Sequence, residues 1–308
     1  MTNVLWYLKR QLCYDQTLIN ELFSGPEFTH TELSRGQDYA ATPDFGAIVV
    51  IPGRQCVEPP ENDVPMLRAM LQRMKWAVVL ITGDEESRFP FQELMLPNTR
   101  VWVMSPVQGK HDILNGRHLI NGSQPRMRAS LASVQGQFVS QLPKDWDWFF
   151  AGQITHPRRE QCAQALRPLG GGKLIETKGF LQGIAPDEYY ASLLRAKVVP
   201  CPSGPVELST ARIFEAIECG CVPVVDGRTP YPEYANAAKP GYWEWFFDGP
   251  VPFPVIYDWN AFISTMNVIL SDFSTYQGRC YKWWVAYKQH FQARVMTDVN
   301  LLSRTSRS

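Results

Sequence analysis

The sequence predicts an α/β protein made of two doubly wound domains, each a parallel sheet packed between helices. From residue 46 onward, short continuous apolar runs typical of strands buried on both faces alternate with segments of helical spacing. After a polar stretch the alternation begins again near residue 148. With 308 residues, 45 % of them hydrophobic, the chain suits two domains of ordinary size better than one.

In the first half, the strands "GAIVVIP" (46–52), "AVVLITGDE" (77–85) and "RVWVMSP" (100–106) are predicted, with a helix over 64–76.

The opening "MTNVLWYLKRQLCYD" has an apolar cluster followed by Lys9 and Arg10 but no long apolar segment or small-residue cleavage site, so no secretion signal is predicted. No run approaches a membrane span, and seven cysteines lack framework spacing. A location in a reducing cytoplasm is expected.

The second half repeats the alternation more cleanly. Strands are predicted at "WFFAGQ" (148–153), "GGGKLIETKGF" (170–180, after a turn), "VVPCPS" (198–203) and the end of "STARIFEAIECGCVPVV" (209–225), with helices over "HPRREQCAQALRPL" (156–169), over "PDEYYASLLRAK" (186–197) and at the start of the last segment. The Pro-, Gly- and aromatic-rich region 227–258 reads as loop, and two helices are predicted from residue 259 to about 302.

The polar, Gly- and Asn-rich stretch 108–130 and the segment just before residue 148 locate the domain boundary. The resulting prediction is an N-terminal domain over 1–143, a C-terminal domain over 144–270, and a helical segment over 271–308. Its apolar "YKWWVAYKQHF" (281–291) favours burial.

Charge and motifs exclude several classes of protein. Thirty basic residues balance thirty acidic ones, so the chain as a whole is not built for nucleic acid or an anionic membrane. The patterns CxxC, HExxH and GxxxxGK[ST] are absent, which argues against a structural zinc site and a P-loop enzyme.

In open parallel sheets, ligands bind beyond the carboxyl ends of the strands. In the second half this rule selects Gly152 and Gln153 with the following "THPRR", the "TKGF" at 177–180, and "PSGPVELSTAR" at 202–212. The last stretch leads into a helix N-terminus, where N–H groups and the dipole favour phosphate.

Hydroxyl and guanidinium donors of Ser209, Thr210 and Arg212 add to that site, and the carboxylate of Glu215, in the second turn, is placed to accept both hydroxyls of a ribose. The simpler alternative is that Ser209 or Thr210 only caps the helix while Arg212 and Glu215 form an exposed i,i+3 pair.

The segments "DWFFAGQITHPRREQ", "YYASLLRAKVVPCPSG" and "STARIFEAIECGCVPVV" resemble the C-terminal half of exostosin-like glycosyltransferases, over residues 147–226. The resemblance implies the GT-B fold, two Rossmann-like domains facing a cleft. It implies that residues 1–143 bind the acceptor, that 144–270 bind the nucleotide sugar, and that the helical segment 271–308 packs back on the N-terminal domain. Exostosin-like enzymes commonly carry a membrane anchor, and because no span is predicted here, a bacterial or viral cytoplasmic relative is expected. The resemblance also implies a nucleoside diphosphate sugar as donor, a UDP-sugar above others, and no further cofactor. It places Glu215 on the ribose, Ser209, Thr210 and Arg212 at the diphosphate, Arg158 or Arg159 on phosphate or leaving group, and Lys178 and Phe180 in the donor site, with Phe180 and its neighbours flanking the base.

Inverting and retaining enzymes share this fold, and the resemblance alone implies inversion. Inverting transfer needs a base for the acceptor hydroxyl, and this base is expected from the first domain, across the cleft. Asp84, directly after a buried strand, is the first candidate, with an N-cap role as the alternative. His111 in "GKHD" is the second candidate, with a solvated polar loop as the alternative. The "DWD" at 145–147 precedes a strand, so it is read as a boundary loop, and a metal-independent hexosyl- or pentosyltransferase is predicted.

The acceptor stays open among a saccharide, a small molecule and hydroxymethylated viral DNA. A DNA acceptor would use the basic residues of "GRHLINGSQPRMR", which are Arg117, His118, Arg126 and Arg128. A non-catalytic nucleotide-sugar-binding protein is the remaining alternative.

Overall fold

The structure, a computed structural model, divides the chain into two compact units. Unit 1 comprises residues 1–106, 110–122 and 287–308, and unit 2 comprises 107–109 and 123–286. The residues described are 1–8, 14–34, 46–52, 60–84, 87–104, 106–107, 109–120, 122, 127, 131, 142–177, 179, 183–231 and 241–305.

Unit 1 contains a parallel sheet of six strands in the order β2-β1-β3-β4-β5-β6. Its strands are β1 (Thr2–Tyr7), β2 (Phe28–Leu33), β3 (Ala47–Pro52), β4 (Ala77–Thr82), β5 (Thr99–Met104) and β6 (His118–Leu119). Every residue of β3 and β4 is buried, because these inner strands are covered on both faces and carry apolar side chains almost throughout.

Helices cover both faces of this sheet. On one face, α2 (Val64–Arg73) packs Leu67 and Leu71 against alternate strand residues such as Val49 and Val79. On the other face, the strand residues that point the opposite way meet α1 (Tyr14–Leu22) and the last part of the C-terminal helix Phe273–Thr305. The contacts of that helix come from one stripe of side chains: Phe291, Val295, Val299 and Leu302.

The predicted strands β3, β4 and β5 and the helix α2 are confirmed, whereas β1, α1 and β2 were not predicted. The strand β1 is a central strand, but its apolar run is short and is followed by charged residues. The strand β2 lies at the edge and reads "FTHTEL", with polar side chains that leave half of it exposed. The sheet therefore begins two strands earlier in the chain than the sequence pattern indicated.

Unit 2 contains a parallel sheet of five strands in the order β11-β10-β9-β7-β8. Its strands are β7 (Trp146–Gln153), β8 (Gly172–Thr177), β9 (Ala196–Cys201), β10 (Val222–Asp226) and β11 (Val255–Ile256). The four predicted strands of this half are all present.

The helices that follow residue 153 are α3 (Pro157–Leu166), α4 (Pro186–Arg195), α5 (Ala211–Glu218), α6 (Tyr242–Phe247), α7 (Phe262–Ser271) and α8 (Phe273–Thr305). The prediction of a loop over 227–258 is wrong at α6 and β11. The helix α6 forms because its aromatic side chains are buried and Phe247 packs edge-to-face on Trp283, with ring centroids 4.8 Å apart. A Gly- and Pro-rich composition conceals so short a helix.

Both sheets reverse their strand order beside their first strand. In unit 2 the chain runs from β7 to β8 on one side and then returns to β9 on the other, and in unit 1 the same reversal lies between β1 and β3. Such a switch point opens a crevice at the carboxyl ends of the two strands, where doubly wound sheets bind ligands. The predicted class, α/β with two Rossmann-like domains, is confirmed.

Within the described ranges, no helix is both long enough and apolar enough to cross a bilayer.

Candidate functional site

The carboxyl edge of the unit 2 sheet brings the end of β7 to the start of α5. Arg212 donates from Nη2 to the carbonyl oxygen of Ala151 at 2.8 Å, and its guanidinium lies 4.7 Å from the ring centroid of Phe150. A Cβ on Gly152 would stand 2.7 Å from that same nitrogen. A glycine at this position therefore allows the arginine to reach the end of β7, across the switch point.

Arg212 remains charged at this edge. Burial by itself lowers its pKa, but the neighbouring Tyr189, Cys201 and Glu215 raise it, and the resulting pKa lies above the ordinary value of arginine. Its Nε is buried and has no hydrogen-bond partner among the described residues.

Glu215 lies in the second turn of α5 with only 4 % of its surface exposed. Its Oε1 accepts a hydrogen bond from the Tyr190 hydroxyl at 2.9 Å and its Oε2 one from the Tyr189 hydroxyl at 3.1 Å. Burial and the charge of Glu215 raise the pKa of Tyr189, so this hydroxyl keeps its proton. The alternative of an exposed pair between Arg212 and Glu215 is wrong, because the carboxylate is buried and held by α4.

The residues before α5 are also largely buried. Thr210 occupies the N-cap position with extended backbone angles, φ −135° and ψ 148°, yet its side chain makes no capping hydrogen bond. Its Oγ1 is buried without a hydrogen-bond partner in the part of the chain that is described. Ser209 is 2 % exposed. A capping role for Thr210 is therefore wrong.

The two arginines after β7 have different surroundings. Arg158 forms a buried ion pair with Asp226, with Nε 3.0 Å from Oδ2 and Nη2 2.5 Å from Oδ1. Asp226 also accepts a hydrogen bond from Trp259 Nε1 at 3.2 Å. Arg159 donates from Nη1 to the carbonyl of Gln153 at 3.3 Å. Because Asp226 already balances the charge of Arg158, Arg159 is the better placed of the two for a phosphate.

His156 is a site residue that the sequence analysis passed over. It is the N-cap of α3 and is 6 % exposed, and neither ring nitrogen makes a hydrogen bond to a described residue. Burial and the charges of Arg159 and Arg158 lower the pKa of His156 to about 4, with the Ser203 backbone acting in the opposite direction. The imidazole is therefore neutral at pH 7. Its position directly before a Pro at a helix start was the available signal.

Glu207 is a second residue that was missed. It is 4 % exposed in the loop between β9 and α5, and together with burial it raises the pKa of Tyr242. Asp226 and the two tyrosines on α4 were missed as well. An acid that ends an apolar strand, as in "VPVVD", was the signal for Asp226, whereas nothing local marked the tyrosines.

Lys178 and Phe180, the two other predicted donor-site residues, lie outside the described residues. Their role on the base side of a nucleotide remains a prediction.

A cavity of about 410 Å³ lies on the α3 side of this edge. Its size suits a small ligand. It is lined by Arg158, Gln161, Gln164, Arg228, Tyr257, Asp258, Trp259 and Asn260. Since Arg212 and Glu215 are not among these residues, the cavity does not explain the arrangement around α5.

In unit 1, Asp84 lies just beyond β4 and is 5 % exposed. Its Oδ1 accepts a hydrogen bond from the backbone N–H of Arg88 at 2.9 Å and its Oδ2 from that of Phe89 at 3.0 Å. No helix starts in the described residues directly after it, and the next helical turn is the 3₁₀ segment Phe91–Leu94. The carboxylate thus closes a loop, and the helix N-cap alternative is wrong.

His111 is 1 % exposed and stacks on Phe91, with ring centroids 4.8 Å apart. A solvated loop is therefore wrong for His111, although Lys110 and Asp112 on either side are exposed. Lys110 donates from Nζ to the carbonyl of Ser87, which joins this loop to the loop after Asp84.

The acids of "DWD" lie at the amino end of β7, away from the ligand edge. Asp145 pairs with Arg195, and Asp147 pairs with Lys197 at 2.8 Å. In the described ranges, no group of three or more His, Cys, Asp or Glu side chains is arranged to hold a metal ion.

The basic residues proposed for a DNA acceptor are partly committed within unit 1. Arg117 binds Asp298 through Nε at 2.7 Å and Nη2 at 2.9 Å, and His118 is 2 % exposed. Arg126 and Arg128 lie outside the described residues.

Comparison with known proteins gives a likeness in fold. No protein-family model matches the chain, and no curated protein matches its sequence, so the exostosin-like resemblance is not confirmed at the family level. Among solved structures, the chain is similar to Anabaena Alr3699/HepE in complex with UDP, with a TM-score of 0.50 and 10 % identity over 99 % of both chains. The same protein in complex with UDP and glucose gives a TM-score of 0.49, 10 % identity and the same coverage. The chain thus shares the two-domain α/β fold of a protein that was crystallised with UDP.

Proposed function

We propose that the chain is a glycosyltransferase that moves a sugar from a UDP-sugar to an acceptor hydroxyl, and that unit 2 binds the donor. The observation that carries this proposal is the buried carboxylate of Glu215, which Tyr189 and Tyr190 hold about one turn beyond Arg212. The Thr210 hydroxyl at the start of the same helix has no hydrogen-bond partner among the described residues. An acid and a cation fixed side by side at a ligand edge suit a ligand with an anionic part and a hydroxyl-bearing part.

The diphosphate is proposed to bind at the N-terminus of α5. Backbone N–H groups and the helix dipole favour an anion there, Ser209 and Thr210 supply hydroxyl donors, and Arg212 supplies a fixed positive charge. These groups stabilise the charge that develops on the departing diphosphate, which is the role that a metal ion plays in other transferases. A metal-independent reaction follows from this assignment.

The ribose is proposed to bind Glu215. A carboxylate has about four lone-pair positions for hydrogen bonds, and each tyrosine hydroxyl uses one position on a different oxygen. The tyrosines thereby fix the orientation of the carboxylate before a ligand arrives. Two vicinal hydroxyls of a ribose match two carboxylate oxygens held in this way.

UDP is proposed as the nucleotide. The sequence resemblance favoured a UDP-sugar, and a protein of similar fold has been crystallised with UDP. At 10 % identity the likeness extends to the fold alone, so the identity of the nucleotide is tested first.

The catalytic base is proposed to come from unit 1, with Asp84 preferred to His111, in an inverting transfer. Two backbone N–H groups orient the Asp84 carboxylate, whereas His111 is stacked in the interior. Loss of a general base lowers turnover by about 10²–10⁴-fold. We expect Asp84→Asn to keep UDP affinity and lose turnover to this extent in a product assay, and normal turnover would transfer the role to His111.

The acceptor is proposed to be a saccharide or a small molecule. The DNA alternative loses support because Arg117 is neutralised by Asp298 and His118 is buried. Activity that falls steeply with salt would restore it, since phosphate contacts release counterions. A non-catalytic binding protein would show donor binding without product from any acceptor.

The primary experiment is a thermal-shift screen with UDP, GDP, ADP, TDP and CMP, with and without their sugars, because a ligand that binds only the native state raises the melting temperature. Calorimetry then compares Glu215→Gln with Glu218→Gln. Both acids are buried on α5, but Glu218 accepts a hydrogen bond from Trp284 Nε1 at 2.7 Å, whereas Glu215 accepts its hydrogen bonds from the tyrosines of α4.

We expect Glu215→Gln to weaken UDP binding at least about tenfold, the loss of roughly one charged hydrogen bond. Glu218→Gln is expected to lower the melting temperature while UDP affinity stays within about twofold, since it weakens the hydrogen bond to Trp284 of α8. Equal effects of the two variants on UDP affinity, or no shift with any nucleotide, would refute the proposed donor site.

A further inference from the structure

Two buried side chains with unused hydrogen-bonding atoms flank the switch point of unit 2. His156 follows the end of β7 and is 6 % exposed, and Ser203 follows the end of β9 and is 0 % exposed. Among the described residues, Nδ1 and Nε2 of His156 and Oγ of Ser203 have no hydrogen-bond partner. The proposed nucleotide site around α5 does not use any of these three atoms.

The two side chains belong to one cluster. The Ser203 backbone is close enough to His156 to influence its protonation. The loops are also joined through Asp226, whose Oδ2 accepts from the Ser203 N–H at 3.4 Å and from Arg158 Nε at 3.0 Å, two residues beyond His156. The buried ion pair of Arg158 therefore holds both loops in place.

Unbonded polar atoms in such a place indicate a ligand. Buried polar groups in native proteins are nearly always hydrogen-bonded, because a group removed from water without a new partner is unfavourable. Pro157 directly after His156 fixes the backbone at the start of α3, and a carboxylate of zero exposure anchors Ser203. Both side chains are thus held at the edge where a doubly wound sheet binds its ligand.

The chemistry of the two side chains selects hydroxyl groups over phosphate. A neutral imidazole offers one donor and one acceptor, and a serine hydroxyl offers both roles as well. A sugar hydroxyl also donates and accepts, whereas a phosphate only accepts. Two cations act on His156. Arg158 is already neutralised by Asp226, and Arg159 donates to the Gln153 carbonyl at 3.3 Å and is the arginine assigned to the phosphate of the donor.

We propose that His156 and Ser203 form the subsite for the sugar ring of the donor, where they hydrogen-bond its hydroxyl groups. This inference rests on the proposed function and adds the part of unit 2 that recognises the sugar, separate from the Glu215 and Arg212 positions that recognise the nucleotide.

The test compares the Kd for UDP with the Kd for UDP-glucose, UDP-galactose, UDP-N-acetylglucosamine and UDP-xylose by calorimetry. The variants are Ser203→Ala and His156→Phe, which remove the polar atoms without removing a hydrogen bond within the described residues. The control is Ser192→Ala, a serine of α4 that is 3 % exposed and lies outside the loops of the carboxyl edge.

In either variant we expect the ratio of the UDP-sugar Kd to the UDP Kd to rise about tenfold for the preferred sugar, while the Kd for UDP changes less than about twofold. Ser192→Ala is expected to leave the ratio unchanged. If His156→Phe misfolds, Ser203→Ala alone decides, because it deletes a single oxygen.

An unchanged ratio in a protein that binds UDP overturns the sugar subsite and leaves the proposed function standing. An equal loss of affinity for UDP and UDP-sugars also overturns it, since His156 and Ser203 would then contact the nucleotide. Failure of the wild-type protein to bind any nucleotide overturns the proposed function and this inference together.

Discussion

The two units share one strand order but differ in how the polar groups at the carboxyl edges of their sheets are satisfied. In unit 1, both oxygens of Asp84 at the end of β4 accept backbone hydrogen bonds. In unit 2, atoms of His156, Ser203, Thr210 and Arg212 have no partner among the described residues. Among the described residues, the carboxylate at the end of β4 is thus satisfied by its own chain, whereas the edge of unit 2 holds polar atoms that are prepared for a ligand.

Breaking the Arg158–Asp226 ion pair of unit 2 is expected to lower the free energy of unfolding more than breaking the Arg117–Asp298 pair of unit 1. Asp226→Ala leaves Arg158 as an uncompensated charge with its side chain 8 % exposed, and we expect the free energy of unfolding to fall by about 3–5 kcal/mol. Asp298→Ala in unit 1 leaves Arg117 with its side chain 22 % exposed, so water can hydrate the guanidinium. The free energy of unfolding is therefore expected to fall by only about 2 kcal/mol. Urea denaturation measures both.

The reverse order of these two costs would show that the edge of unit 2 does not depend on Asp226. Arg167→Ala is the surface control, because its pairs with Glu160 and Glu176 are exposed, and the urea midpoint is expected to stay nearly unchanged.

Acid is expected to destabilise the edge of unit 2 through His156. Its folded pKa of about 4 lies below the ordinary 6.5, so between these values the unfolded chain binds a proton that the folded chain does not. The contribution to stability is therefore complete above pH 6.5 and declines as the pH falls toward 4, by on the order of 2 kcal/mol. Urea midpoints of the wild type and His156→Phe across this range measure the effect, and parallel curves would contradict it.

Two threonine hydroxyls, one with and one without a hydrogen-bond partner among the described residues, allow the finest test. Thr99 in unit 1 donates from Oγ1 to the Leu94 carbonyl at 2.7 Å, so Thr99→Ala is expected to cost about 1–2 kcal/mol. Thr210→Ala is expected to cost less than about 0.5 kcal/mol, because its hydroxyl makes no capping bond, and to weaken UDP binding severalfold. If Thr210→Ala lowers the free energy of unfolding by about 1 kcal/mol and leaves UDP affinity unchanged, the hydroxyl stabilises the helix start and does not bind a ligand.

Much of unit 2 was predictable because its elements carry local signals. The strands from β7 to β10 are apolar runs, and α3 to α5 show helical spacing with Pro or hydroxyl residues at their starts. In unit 1, β1 and β2 were missed, and with them the switch point beside β1. As a result, the catalytic base was sought only after β4 and β5, at Asp84 and His111. No residue was proposed at the switch point, where the strand order reverses between β1 and β3.

The sequence by itself determined the alternation of strands and helices, the polar loops at the carboxyl ends of the strands, and the position of Arg212 and Glu215 at the start of α5, because these features depend on neighbouring residues. Only the tertiary structure decided the partners. Arg158 meets Asp226 from 68 positions away, and Glu215 meets the tyrosines of α4 from 25 and 26 positions away. Such pairs depend on the order in which strands lie in the sheet, and no local pattern encodes that order.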